Sequence, residues 1–434
     1  MNETILNSLS NIHSDVLNGT YYNNRDFARK ILNYPAMMVP SVQESIIKTL
    51  INDMPEGVSM IDPFMGASNA LTTGMRYGAS VFGQDINPLS VLISQVKTSV
   101  YEYSLKNSFL ELKGRINRSR SSKIDVSFKN IDKWFKKEVQ VQLSQIRRAI
   151  LREENLKFRK FFWVALAEAI RLNSNDRTST FKMHIRTQEE IQKRKLNPIE
   201  SFFKICERSV EDILNVRQEL ENKDLVINNS YKHTASVKWG DSKKSINSDD
   251  QFRLLITSPP YGDNQTTVTY GQFSYLPLQW IPIKEISDEI SIDYLSVIQQ
   301  IDTQSLGGNL PKDFKKIEEK MFNKSNSLKR FFDGFSIDER KKAKKVISFI
   351  NDLDITLDNI LPKMGENSYQ AWTIGNRNVN NKVVQNDKIL IELLESKGID
   401  LFIDLERDIL SKRMPGRNNF SNTMDKEKIL IFKT

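Results

Sequence analysis

The sequence predicts an α/β protein, a largely parallel sheet interrupted by helical insertions. Three observations carry that expectation. Short apolar runs end in acidic or proline-rich turns, helical patterns stand between them, and two charged helix-rich stretches break the alternation. A helix is expected within 35–50, where Pro40 precedes Ser41-Val42-Gln43-Glu44, the spacing of a capping box, and Ile46, Ile47 and Leu50 form an apolar stripe. Val58 to Ile61 reads as a buried strand ending at Asp62, Ala67 to Arg76 as the helix after it, stopped by Tyr77-Gly78, and Ser80 to Gln84 as a second strand ending at Asp85. A strand–helix–strand unit of this kind opens a parallel sheet.

From 101 to 230 glycine nearly vanishes and helical patterns run over 138–172 and 197–222, the mark of a helical insertion. Val237 to Trp239 resumes the sheet and leads to Gly240-Asp241. Phe252 to Ile256 is the next strand. A second charged insertion covers 285–345, with Gly307-Gly308 as a turn inside it. A helix over 346–360, a strand over 369–374, a helix over 387–396 and strands over 401–406 and 428–432 complete the chain. The organisation expected is an N-terminal part of one catalytic domain over 1–100, an insertion over 101–232, and the rest of the catalytic domain over 233–434.

At 434 residues the chain suits one large domain with insertions, or two domains. The run Phe161 to Ile170 is about half a membrane span and contains Glu168, so no membrane segment is expected. Met1-Asn2-Glu3-Thr4 lacks the basic start of a secretory signal. One cysteine excludes an intrachain disulfide framework and fits a reducing cytoplasm. His13, His184 and His233 are scattered, so no metal site is expected. The net charge is +9, and between Lys106 and Lys137 ten basic residues face three acidic ones. A second basic stretch spans Lys312 to Lys345. Either is readable as a solvated helix face; together they favour contacts with phosphates.

Four motifs carry chemistry. Asp62-Pro63-Phe64-Met65-Gly66-Ala67-Ser68-Asn69 is a strand end, a tight turn and a helix start, where small residues and free N–H groups admit a ligand. A plain β–α turn is the bland alternative. Gly83-Gln84-Asp85-Ile86-Asn87-Pro88 follows about 20 residues later, the spacing at which an acidic strand tip accepts ribose hydroxyls; the competing role is a helix cap. Gly240-Asp241-Ser242 is a third strand-end turn. The fourth and most informative is Ser258-Pro259-Pro260-Tyr261 behind the strand Leu254-Leu255-Ile256. Two prolines freeze the backbone without free N–H groups. A hydroxyl, an aimed carbonyl and an aromatic face then surround a space suited to a flat base held by its exocyclic amine.

This last stretch resembles the (Asp/Asn/Ser)-Pro-Pro-(Tyr/Phe) motif of amino-group DNA methyltransferases, in the Ser-Pro-Pro-Tyr form typical of enzymes acting on cytosine N4. The resemblance extends to Asp62–Ser68, similar to an Asp-Pro-Phe-x-Gly-x-Gly turn that holds the methionine part of S-adenosylmethionine, with Ser68 in place of the second glycine. It extends also to Tyr34-Pro35-Ala36-Met37-Met38-Val39-Pro40, similar to the family's N-terminal cofactor-side motif, with Met37 where lysine is usual. What the resemblance implies is a class I methyltransferase fold, a mixed seven-stranded sheet whose last strand is antiparallel. It implies cofactor contacts from Tyr34, Pro35, Asp62, Phe64, Gly66, Ser68, Asp85, Asn87, Asp241 and Ser258, with Asp85 on the ribose and Asp241 at the adenine. It implies that Ser258 and the Pro259 carbonyl turn the target amine, with Pro260 keeping the bend rigid and Tyr261 stacking on the base.

The segment Thr266 to Ser274, with Tyr270 and Gln272, resembles the family's target-side loop. Arg171, Asn173, Ser174, Asn175 and Arg177 resemble a helical element of the same subgroup. Lys412 to Asn419, with Arg413 and Arg417, resembles a basic DNA-side loop. The expected partners are double-stranded DNA, with the target base flipped out, and a restriction endonuclease of the same specificity. Adenine-N6 methylation, RNA methylation and non-catalytic nucleic-acid binding stand as alternatives. Ring-carbon methylation does not, because it needs a cysteine nucleophile and Cys206 reads as a packing residue on a helix.

Overall fold

A computed structural model describes residues 2–20, 31–35, 38–52, 54, 57–178, 181–291, 295–409 and 426–434. Seven strands form one sheet: β1 (Ser59–Asp62), β2 (Ser80–Asp85), β3 (Ala235–Trp239), β4 (Phe252–Thr257), β5 (Met364–Ile374), β6 (Leu401–Asp408) and β7 (Lys426–Lys433). Their spatial order is β6-β7-β5-β4-β1-β2-β3. Strand β1 is parallel to β2 and β4, β2 to β3, and β4 to β5, whereas β7 runs antiparallel to both neighbours. This is the mixed seven-stranded sheet expected, with its last strand reversed. The order turns back between β1 and β4, which places the ends of those two strands at the switch point of the sheet, where open α/β sheets bind ligands.

The central strands are apolar on both faces, as a sheet covered on both sides requires. Met60, Leu254 and Ile256 face one hydrophobic cluster, while Ile61 and Leu255 face the other. The first cluster continues into the helical region. Helix Leu156–Asn173 is apolar nearly all round, carries Phe161, Phe162 and Trp163 fully buried, and packs on helices Pro88–Lys97, Lys137–Leu151, Pro198–Glu221 and Tyr270–Trp280. Cys206 is buried in this cluster, and burial pushes its thiol up. The second cluster is closed by helices Ile337–Ile360 and Asn386–Glu395.

Three local expectations change. The pattern over 138–172 is two helices, Lys137–Leu151 and Leu156–Asn173, because Asn155 accepts from the Lys157 and Phe158 amides and starts a new helix. The helix expected from 346 begins at Ile337, where Ser336 and Glu339 form a reciprocal capping box. The capping box read at Ser41–Glu44 does not form. Helix Pro40–Asn52 already includes Ser41, whose hydroxyl has no partner among the described residues, and Glu44 accepts from the Tyr77 hydroxyl at 3.0 Å.

Gly307 has φ +69°, and a Cβ on Gly308 would lie 2.1 Å from the Thr303 carbonyl oxygen. That turn brings Ser305 and Leu306 to the switch point, and no side chain fits it without a backbone shift. Gly308→Ala is expected to destabilise the fold by about 1–3 kcal/mol, measured as a lowered midpoint in urea unfolding with an unchanged slope.

Candidate functional site

A cleft opens at the ends of β1, β2, β3 and β4. Tyr34, Pro35, Asp62, Phe64, Gly66, Asp85, Asn87, Asp241, Ser258 and Pro260 all line it. Residues from five separated stretches of sequence therefore meet in one place. Among the described residues no helix is long and apolar enough to cross a membrane, and no group of His, Cys, Asp and Glu is arranged to hold a metal ion.

The turn after β1 is built tightly. The Phe64 amide donates to Asp62 Oδ1 at 3.1 Å, and the Ser68 amide to the Met65 carbonyl at 2.7 Å. Gly66 has φ +48° and Ser68 φ +60°, so the serine that replaces the second glycine does adopt the left-handed conformation. Ser68 is fully buried and its hydroxyl donates to Ser94, away from the cleft. Beneath the turn lies a group with no sequence signature: the buried Lys97 donates to the Ala67 carbonyl at 2.6 Å and to Asn69 Oδ1 at 2.8 Å.

Two carboxylates dominate the electrostatics. Asp62 is buried, and Thr257 on β4 donates to its Oδ1 at 2.7 Å. Burial pushes its pKa up to about 7, against the pull of the Thr257 and Phe64 hydrogen bonds. Asp85 accepts from the Gly66 amide at 3.0 Å and from the Asn87 amide at 2.8 Å, and burial raises its pKa too. A desolvated acidic wall of this kind favours a cation and hydroxyl donors as ligands. The Asn87 amide group donates to Tyr34 Oη at 3.0 Å and to Ser274 Oγ at 2.8 Å, joining the N-terminal loop to helix Tyr270–Trp280. Asp241 lies beside them, in a loop held by buried Gln84, whose Nε2 donates to Ser242 Oγ at 3.2 Å.

The proline-paired bend presents Ser258 and Pro260 to the cleft. Pro259 and Tyr261 are not among the lining side chains. The Tyr261 ring packs against the second hydrophobic cluster, so the stacking face expected of it is not turned to the cleft. Its hydroxyl sits 3.3 Å from Ser258 Oγ and donates to Glu427 Oε1 at 3.0 Å. Burial and the Glu427 carboxylate hold the Tyr261 phenol well above its usual pKa, so it keeps its proton.

Tyr270 lines the cleft and stacks on Tyr34 with ring centroids 5.9 Å apart. Gln272 is turned elsewhere. Its Oε1 accepts from the Met183 amide at 3.1 Å, in a smaller cavity shared with Arg171, Ser174 and Asp176. Arg413 and Arg417 lie outside the described residues. No sequence motif points to Asn264 or Asp302. Asp302, buried, accepts from the Gly271 and Gln272 amides at 2.8 and 3.2 Å and so caps helix Tyr270–Trp280 from the second insertion. Asn264 is 2% exposed on the cleft wall, with Oδ1 unpartnered among the described residues.

The sheet order and the cleft at its reversal are those of the class I methyltransferase fold. The chain is 33% identical over 429 residues to Type II methyltransferase M.MvaI of Kocuria varians, covering 95% of this chain and 92% of that protein. Over 106 residues, 24% of this chain and 19% of the other, it is 31% identical to Type II methyltransferase M.MjaII of Methanocaldococcus jannaschii. No protein-family profile matches it. The chain thus belongs to the type II methyltransferases, the DNA-modifying enzymes of restriction–modification systems, and methyltransferases of this kind use S-adenosylmethionine.

Because burial holds Asp62 protonated up to about pH 7, well above the ordinary aspartate range, that group favours folding at low pH and the contribution fades as pH rises through 7. Asp62→Asn is therefore expected to gain stability relative to the parent chain between about pH 4 and 7, and to hold a constant difference above that. Urea unfolding across the pH range checks this; a difference that is flat with pH contradicts it.

Proposed function

We propose that the protein transfers a methyl group from S-adenosylmethionine to the N4 amine of cytosine in duplex DNA, at a short specific sequence, as the modifying partner of a restriction endonuclease. The observation that carries this is the meeting of Ser258 with Asp62, Gly66 and Asp85 in one cleft. The fit of the cofactor is supported by the buried carboxyl groups of Asp62 and Asp85 on the cleft wall, suited to an α-ammonium group and to ribose hydroxyls, and by the unpartnered Oδ1 of Asn264 on the same wall. Bound there, S-adenosylmethionine supplies an electrophilic methyl group on a cationic sulfur.

In this reading the protein's part is placement. Asp62 and the Gly66 turn hold the amino-acid end, Asp85 the ribose hydroxyls and Asp241 the adenine amino group, with Tyr34 and Pro35 closing the cleft from the N-terminal side. Ser258 Oγ and the Pro259 carbonyl accept from the target amine. Two acceptors rotate that amine so that its lone pair, otherwise delocalised into the ring, aims at the methyl group; the remaining gain is proximity and alignment. The base has to leave the duplex to reach them. Tyr270, whose ring does line the cleft, offers a stacking face worth about 1–3 kcal/mol. Reading of the target sequence falls to the helical region 101–232, with Gln272, Arg413 and Arg417 on the DNA side. Ser258, in place of an acidic residue, supports cytosine over adenine.

The test is direct. Duplex DNA methylated by the protein, digested to nucleosides, is expected to yield N4-methylcytosine. N6-methyladenine would assign the other amine, and no modified nucleoside would remove the reading. Ser258→Ala is expected to lower turnover by about 100-fold or more with cofactor affinity nearly unchanged; undiminished turnover takes Ser258 out of the chemistry.

A further inference from the structure

We propose that Glu427, on the last strand and about 170 residues from the proline-paired bend, is a positioning residue for methyl transfer. Acting through Tyr261, it sets the direction of a hydrogen-bond chain and obliges Ser258 to turn its lone pairs towards the substrate amine. The inference deepens the amino-methylating reading above and rests on it.

The number of protons in the chain fixes its direction. Glu427 is paired with the Arg407 guanidinium, Nε to Oε2 at 2.9 Å, and a carboxylate only accepts. Tyr261 has one hydroxyl proton and gives it to Glu427 Oε1 at 3.0 Å. The phenol oxygen is then left as an acceptor, and the contact of 3.3 Å with Ser258 Oγ is made with the serine proton. That proton points away from the cleft. Ser258 Oγ therefore meets the cleft with lone pairs alone, as an acceptor of an amine N–H must. Without the carboxylate the chain can run the other way, Tyr261 donating to Ser258. The serine proton is then free to bond the amine lone pair, the electrons the reaction needs.

Topology explains why the last strand supplies this group. β7 is antiparallel, so it begins at the edge where the parallel strands end. Glu427 precedes Lys428, which is level with Ile374 at the end of β5, and it pairs across the ladder with Arg407 of β6. Arg407 and Glu427 are thus fixed by sheet register, and both side chains are largely buried. The Tyr261 carbonyl is held from the other side by Asn386 Nδ2 at 2.9 Å, which keeps the phenol aimed at the strand.

The experiment compares the full chain with Glu427→Gln, Tyr261→Phe, the double variant and Glu427→Asp, using S-adenosylmethionine and a duplex DNA that the parent chain methylates. Each of the first two is expected to lower kcat roughly ten- to a hundredfold, the scale on which partners that orient a reacting group act, with KM for DNA and cofactor affinity within about twofold. The double variant should be no slower than the slower single one, because both changes cut one chain, and Glu427→Asp should recover part of the rate. A Glu427→Gln enzyme at the parental rate, or losses that multiply in the double variant, overturns the proposal. Should Glu427→Gln fail to fold, Tyr261→Phe, which leaves the Arg407 pair intact, decides alone by the same criterion. The parental activity is measured in the same assay, so a failure of the amino-methylating reading is seen as the absence of any methylated cytosine or adenine, separately from any effect of Glu427.

Discussion

The hydroxyl of Thr257 donating to the carboxylate of Asp62 is the contact on which the rest of the site depends. The two residues are 195 positions apart in the chain, and each ends a strand. One carries the turn suited to the donor molecule; the other is followed at once by the serine suited to the acceptor. Parallel pairing of β1 with β4, with Met60 level with Leu254, brings the strand ends side by side, and the hydrogen bond fixes their separation. A buried carboxylate with a single short donor from the neighbouring strand tolerates little displacement, because losing that donor leaves the charge poorly solvated. The spacing between the turn after β1 and Ser258 is therefore set by sheet geometry rather than by the loops around it.

The strands, their acidic ends and the proline-paired bend were legible because each is a local pattern: a short apolar run, then a residue type the turn requires. Ser68 shows its backbone only in the fold, where it takes the left-handed conformation in place of a glycine. The helix starting at Asn155 and the unformed capping box at Ser41 show where local signals mislead. An asparagine inside a long helical pattern restarts the helix, and a serine just after Pro40 is already in the first turn.

What the sequence did not disclose are partners set by tertiary register. Glu427 falls just outside the strand expected over 428–432, Lys97 belongs to no motif, and Asp302 is part of a charged insertion. Each is defined by what the fold sets against it, the Tyr261 phenol, the Ala67 carbonyl and the Gly271 amide respectively. Arg413 and Arg417 belong to the segment between β6 and β7 that the described residues leave out.

Asp302 has a consequence for modularity. It sits in the second charged stretch, yet it caps a helix that begins at Tyr270, and its neighbours Ser305 and Leu306 form part of the cleft wall. Lys243, from the loop after β3, reaches across to the Gln304 carbonyl at 2.7 Å. That stretch is thus grafted into the cleft wall at its near end and free to vary only beyond it. A hybrid enzyme that exchanged 285–345 as a block would leave the Tyr270 helix with bare amides and the cleft with a gap. Any exchange of that stretch between relatives would have to cut downstream of Gly308 or carry 263–310 along as one piece.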